Sequence, residues 1–365
     1  MLAMAAKRLG YTVHVFSPEQ HTPAGQVADV EITAEYTDVA ALQRFAKQVD
    51  IVTIEFENIP AEALQAIKPL VPVYPQAHVL HTTQNRIREK TFLSELGIPV
   101  APFQVVQTLA DLETGLQRIG CPSVLKTAHS GYDGKGQVKL SSPNEALPAY
   151  QTLNEQPCVL EQFVALEREI SVIAARSDDG QFAPYRPVEN RHQKHILDIT
   201  VAPATLPTEL EQQAIAVTQR IMDALNMRGL LCVEFFLTQE GQLLVNELAP
   251  RTHNSGHYTI EAAACSQFEQ QLRAVCGLPL GQPQLLYPAA AMANLLGDLW
   301  QDGEPNWEAC LAMSPVYLHL YGKTSAKPGR KMGHITVLGE TASKAEALVR
   351  QARASLLHHE VRATL

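Results

Sequence analysis

Two apolar, β-prone runs stand out midway along the chain, each broken by a single acid. Val233, Phe235, Phe236 and Leu237 make the first, and Leu243, Leu244, Val245 and Leu248 the second. Between them lies Glu240-Gly241, a pair suited to a tight turn, so the pattern predicts a β-hairpin. If the hairpin is symmetric about that pair, Glu234 faces Glu247, with Cβ atoms within about 5.5 Å. Two carboxylates so placed repel unless a cation neutralises them, and Mg²⁺ is the usual choice beside phosphates. An exposed edge with two solvated glutamates is the competing reading, and the apolar flanks weigh against it. After Pro250, one short segment collects Arg251, His253, Asn254, Ser255 and His257, a costly composition for an ordinary loop.

The N-terminal pattern alternates between helical and strand periods. Helices are expected over residues 1–9, 38–48 and 60–67, and strands over 12–16, 51–54 and 71–74; this order predicts a parallel, doubly wound α/β layer. The chain opens on a helix, whereas a βαβ unit needs a strand and turn before it. The first strand and its loop therefore read as absent, which is expected to weaken stability and substrate binding more than nucleotide binding. The EFEN stretch, Glu55 to Asn58, follows a strand end, where open α/β sheets bind ligands. It also suits the start of the next helix, and the two readings are compatible.

From Thr83 the pattern changes. A helix over residues 85–96 carries Arg86, Arg88 and Lys90; a helix over 109–119 and a strand over 123–126 follow. Lys126 closes that apolar strand, an unusual position unless it meets an anion. HSGYDGKGQ, residues 129–137, is a flexible loop whose amides could cover phosphates, although a plain glycine hairpin would look similar. It opens no helix, so it is neither a P-loop nor a dinucleotide fingerprint. Glu161 and Gln162 follow an apolar strand start, and Glu169 begins or lies in the next strand, Ile170 to Ala174. Such acids can accept from an adenine amino group or ribose hydroxyls, or be solvated edge residues. YRPVENRHQKHIL, residues 185–197, has no helical period and reads as a functional loop or strand more than as core.

Composition narrows the class. The 365 residues, 46% hydrophobic and 18% charged, suit a multi-domain globular protein. A net charge of −9 argues against a broad nucleic-acid surface. No apolar run approaches a membrane span. The six cysteines are scattered without a CxxC pair, as expected of reduced core residues in the cytoplasm.

EFEN, the Arg86–Lys90 helix, VLKTAHSGYDGKGQ, VLEQFV, RPVENRHQKHIL, VEFF, NELAPRTHNSGHYT and KPGRKMGH occur in an order that resembles the ATP-grasp superfamily. Within it, the resemblance narrows to the 5-(carboxyamino)imidazole ribonucleotide synthetase family of purine biosynthesis. It implies an ATP-grasp fold of mixed α/β and α+β type. The expected divisions are an N-terminal parallel α/β domain over residues 1–82, an ATP-grasp domain over 83–285 and a small C-terminal domain over 286–365. It further implies ATP- and bicarbonate-dependent carboxylation of 5-aminoimidazole ribonucleotide through carboxyphosphate, with Mg²⁺, in a homodimer.

Carried onto this sequence, the resemblance assigns Arg86 and Lys126 to ATP phosphates, under a cover formed by Gly131, Tyr132, Asp133, Gly134, Lys135, Gly136 and Gln137. Glu161, Gln162, Phe163 and Val164 would meet adenine, Glu169 the ribose, and His192 would lie near the nucleotide. Glu234 and Glu247 would hold Mg²⁺, with Asn246 beside them. The ribonucleotide would meet Tyr132, Asp133, Arg251, Lys323 and Arg330, with Arg251, Lys323 and Asp133 as the catalytic set. For Lys323 and Arg330 an ordinary basic turn at Pro328-Gly329 is the alternative. Many ATP-grasp enzymes carry Asn where this chain has Ala249. The alternatives are a formate-using glycinamide ribonucleotide transformylase, a biotin carboxylase-like protein and an impaired nucleotide-binding protein. HNSGHYT and KPGRKMGH argue against the first two.

Overall fold

The computed structural model describes residues 1–129 and 135–357. At the N-terminus, the helices Leu2–Arg8, Val39–Ala46 and Ala61–Ile67 accompany short parallel pairs, His14–Ser17 with Val30–Thr33 and Val52–Thr53 with Val73–Tyr74. The parallel layer is thus present in two separate pieces. Asp38 caps its helix through its side chain, which accepts from the Ala41 amide, and Gly10 follows the first helix with φ 82°, a left-handed stop that glycine adopts without strain. Leu42, Phe45, Ile54, Leu64, Ile67 and Val73 pack as the core of this region. The strand Val30–Thr33 and the helix Ala77–Thr83 were not foreseen.

The central region holds two antiparallel sheets. The smaller has the order Phe103–Val106, Cys158–Gln162, Ser123–Thr127, Gln137–Leu140. The helices Leu109–Ile119 and Ala146–Thr152 pack on it through Leu112, Leu116, Ala149 and Tyr150. In Ser123–Thr127 burial alternates, so Leu125 goes into the core and Lys126 to the other face.

The larger sheet has nine strands among the described residues. Leu243–Ala249 forms one edge, followed by Gly229–Thr238, Leu166–Arg176, Val188–Gln193 and Ile196–Ala202. It then continues through Ala289–Leu296, Lys331–Gly339 and Val316–Leu320, and the ninth strand, Phe182–Pro184, pairs with Leu166–Arg176 off this path. The pairing of Ile199 with Ala293 and of Val201 with Ala291 carries the ladder across the expected border at residue 286. YRPVENRHQKHIL resolves into two strands joined at Lys194-His195. Its interior part is more core-like than expected: Tyr185, Val188 and Asn190 are buried, and Asn190 donates to Ser171 Oγ over 2.9 Å.

Candidate active site

The hairpin pairs Glu234 with Glu247, as its sequence suggested, but by a different route. The turn is not the symmetric two-residue kind. The Thr238 amide donates to the Gln242 carbonyl over 2.9 Å, enclosing Gln239-Glu240-Gly241, and Gly241 takes φ 80°. A three-residue loop with a left-handed glycine shifts the register by one. Phe235 therefore faces Val245, and a bulge at Asn246 restores the opposition of the two glutamates.

These carboxylates stand on the wall of a cleft of about 1610 Å³ that reaches from the small antiparallel sheet to the Val316–Leu320 edge. Burial opposes the charge on Glu234, yet the His253 contact holds its carboxyl down to about 2. His253 Nε2 lies 3.0 Å from Glu234 Oε1, and despite burial the imidazole is raised to about 10 by Cys232 and Glu234. Glu247 behaves oppositely: desolvation and the charges of Glu234 and Glu57 push its carboxyl up. Among the described residues no group of three His, Cys, Asp or Glu could ligate a metal. Glu234 has His253 as a counter-charge and the raised Glu247 has a carboxylate beside it; two opposed carboxylates of this kind fit a Mg²⁺ ion that takes its remaining ligands from phosphates and water.

Of the residues expected to meet the nucleotide, Arg86, Lys126, Lys135, Gln137, Glu161, Gln162, Phe163, Val164, Glu169, His192 and Asn246 line the cleft. Four of these side chains are already partnered within the protein. The anion that Lys126 meets is internal: its Nζ lies 3.0 Å from Glu161 Oε2. The Glu161 side chain accordingly points to the ammonium groups, and despite burial Lys90 and Lys126 draw its carboxyl down to about 2. Glu169 and His192 pair with each other, Oε2 to Nδ1, at 3.2 Å. Gly136 does not line the cleft; its carbonyl accepts from the Thr127 amide over 2.8 Å. Gly131, Tyr132, Asp133 and Gly134 lie outside the described residues.

Arg251, Lys323 and Arg330 line the other end. Arg251 makes a two-pronged ion pair with Glu57 of EFEN, with Nη2 2.6 Å from Oε1. Lys323 donates to the Lys331 carbonyl over 2.7 Å and Arg330 to the Ser325 carbonyl over 3.0 Å. The basic turn is clasped from below: the Gly297 amide donates to the Arg330 carbonyl over 2.8 Å, and the Gly329 amide to Asp298 over 2.7 Å.

Glu57, His253, Glu89 and Lys90 belong to the site and were not assigned to it. For Glu89 and Lys90 a signal existed: with Leu93 they form one face of the Arg86–Glu95 helix, and all three are buried. Glu89 Oε2 accepts from the Leu248 amide over 3.0 Å. Burial and Glu247 raise the Glu89 carboxyl to about 8. No comparable pattern announced the link from Glu57 to Arg251, 194 residues apart.

A nucleotide-sized cleft lined by an opposed carboxylate pair, Arg86 and Lys126 defines an ATP-grasp ligase. Residues 1–84, 91–268 and 290–348 match, in turn, the ribonucleotide synthetase preATP-grasp domain, the ATP-grasp domain and the phosphoribosylaminoimidazole carboxylase C-terminal domain. The N5-carboxyaminoimidazole ribonucleotide synthase of Bacillus subtilis is 44% identical over 93% of this chain and 88% of its own length. The synthetase of Thermus thermophilus superposes with a TM-score of 0.90 at 41% identity, covering 99% of this chain and 96% of that one. The Aspergillus clavatus synthase, solved with ADP and 5-aminoimidazole ribonucleotide, superposes with a TM-score of 0.89 at 30% identity, covering 98% and 95%. The chain belongs to the N5-carboxyaminoimidazole ribonucleotide synthase family.

Proposed function

We propose that the chain carboxylates the exocyclic amine of 5-aminoimidazole ribonucleotide in purine biosynthesis, with ATP and bicarbonate as co-substrates. A bicarbonate oxygen attacks the γ-phosphorus of ATP, giving carboxyphosphate and ADP. Carboxyphosphate breaks down to CO₂ and phosphate. The amine nitrogen then bonds to the CO₂ carbon and loses a proton, leaving the N-carboxyamino ribonucleotide. The protein's part is positioning and neutralisation, because the transferring phosphoryl group carries its charge on oxygens that need fixed cations.

Arg86 and Lys126 serve the phosphates, with the loop from Gly131 to Gln137 as their cover. Residues 161–164 serve adenine, Glu169 the ribose, and His192 orients Glu169. Glu234 and Glu247, with Asn246, hold Mg²⁺, which when bound supplies positive charge to the phosphates. Arg251, Lys323 and Arg330, with Tyr132 and Asp133, grip the ribonucleotide. The observation that carries this reading is the meeting in one cleft of the Glu234–Glu247 pair with the basic set Arg251, Lys323 and Arg330. A metal–triphosphate fits the first and a phosphorylated substrate the second. The six unpaired cysteines support a reducing compartment, the cytoplasm, and the reading includes a homodimer.

The test is ADP release with bicarbonate and ribonucleotide omitted in turn. Full rate should need both. Turnover with glycinamide ribonucleotide plus formate, and none with the proposed pair, would replace this reading by a transformylase.

A further inference from the structure

Behind the cleft wall lies a charge arrangement with one member too many for a simple ion pair. The ammonium groups of Lys126 and Lys90 converge on the same atom, Glu161 Oε2, at 3.0 and 3.6 Å. Lys126 lines the cleft. Lys90 is 1% exposed, sealed under the Arg86–Glu95 helix, and its Nζ also donates to the Asn246 carbonyl over 3.2 Å. The other carboxylate oxygen, Glu161 Oε1, is buried and has no hydrogen-bond partner among the described residues.

A buried carboxylate must keep a counter-charge, because an isolated one is far too costly to leave in the interior. If Lys126 were its only partner, a nucleotide phosphate could recruit that ammonium only by stranding Glu161. The second ammonium removes the obstacle. Departure of Lys126 also removes the repulsion between two like charges and gives Lys90 room to close from 3.6 Å to hydrogen-bond distance.

We propose that Lys90 is a positioning residue for nucleotide binding: it is the resident counter-ion of Glu161, and so frees the Lys126 ammonium for the phosphates. Its bond to the Asn246 carbonyl keeps it in place at the bulge that sets Glu247 opposite Glu234. This inference rests on the proposal that Lys126 serves the phosphates, and the experiment separates the two.

ADP affinity is measured by calorimetry on the full chain and on K126M, K90M, E161Q and K90M/E161Q, with nucleotide-free melting curves for each. K126M and K90M should each weaken ADP binding by about tenfold or more. In the E161Q background, where no charge needs a counter-ion, the K90M effect should fall to about twofold or less. The KM for ATP should rise in K90M while that for the ribonucleotide stays unchanged. Unaltered affinity in K126M would overturn the phosphate role of Lys126 itself. Weakened binding in K126M with K90M unaffected, or an equal K90M effect in both backgrounds, would overturn the counter-ion role alone. Should K90M fail to fold, a structure of the wild-type chain with ADP decides. Lys126 is expected to have left Glu161 for a phosphate while Lys90 remains; Lys126 still on Glu161 overturns the inference.

Discussion

Arg251 and Glu57 grip each other across the seam between the N-terminal region and the segment after the Glu234–Glu247 hairpin, with Nη2 2.6 Å from Oε1 and Nε completing the fork. A two-pronged guanidinium–carboxylate pair fixes direction as well as distance. It ties the end of the short Val52–Thr53 strand to the segment that follows Ala249.

Glu57→Gln should therefore destabilise the chain by about 1.5–3 kcal/mol, the range for a charge-assisted bond. Although burial opposes it, the Arg251 contact holds the Glu57 carboxyl below its ordinary range. The pair's contribution is then fully present above about pH 4.3 and fades as pH falls through the lower folded-state value. Melting temperatures of wild type and variant should differ at pH 7 and converge in acid; a constant gap would mean that the charge is not what matters.

Replacing Glu247 by Gln should cut ATP turnover by about 100-fold or more while leaving the melting temperature near that of the parent, because the lost charge is one the fold does not need. Chelation of divalent ions should mimic the variant, and added Mg²⁺ should rescue the wild type only. Near-normal turnover in Glu247→Gln would remove it from the metal site.

Gly297 sits where nothing larger fits. A Cβ there would collide with the Lys327 carbonyl oxygen and the Ala326 carbonyl carbon. Gly297→Ala should push the turn bearing Arg330 off its seat and raise the KM for the ribonucleotide about tenfold or more, since small displacements of positioning groups are expensive. The KM for ATP should not change; if both rise together, the turn does not belong to the ribonucleotide end alone.

His192 offers a test with the opposite sign. Burial works against its charged form, but Glu169 raises its pKa above the ordinary value. Stability from this pair is present in full below about pH 6.5 and is lost as pH rises through the higher folded-state value. The melting gap between wild type and His192→Asn should be widest near pH 6 and narrow in alkali. A gap that widens in alkali would refute the pairing.

Local chemistry was legible in the sequence to the extent that it depended on neighbours along the chain. The helices expected from residues 38 and 85 do start there, with Asp38 and Asn85 as their caps, because helix starts are set by adjacent residues. The opposed glutamates were found from a turn assumed to be one residue too short, and the Asn246 bulge offset that error. Lys126 was seen to need an anion, but that Glu161 supplies it follows from strand pairing of Lys126 with Val159 and of Val124 with Glu161. The grip of Glu57 on Arg251 depends on how two distant segments are brought together, and neither side chain is unusual in its local setting. The four-residue strand Val30–Thr33, partly exposed throughout, has too little apolar contrast to announce itself.

The backbone ladder from Ile196–Ala202 into Ala289–Leu296 and Lys331–Gly339 has a consequence for how the molecule opens. Lys323 and Arg330 lie on the connection into Lys331–Gly339, which is paired on both sides, so pulling that strand away would leave amides bare on Ala289–Leu296 and Val316–Leu320. Amide hydrogens of Ala291 and Ala293 should consequently exchange with solvent as slowly as those of Val233 on the metal hairpin. The two ends of the cleft are then expected to open together, as parts of one continuous hydrogen-bonded sheet.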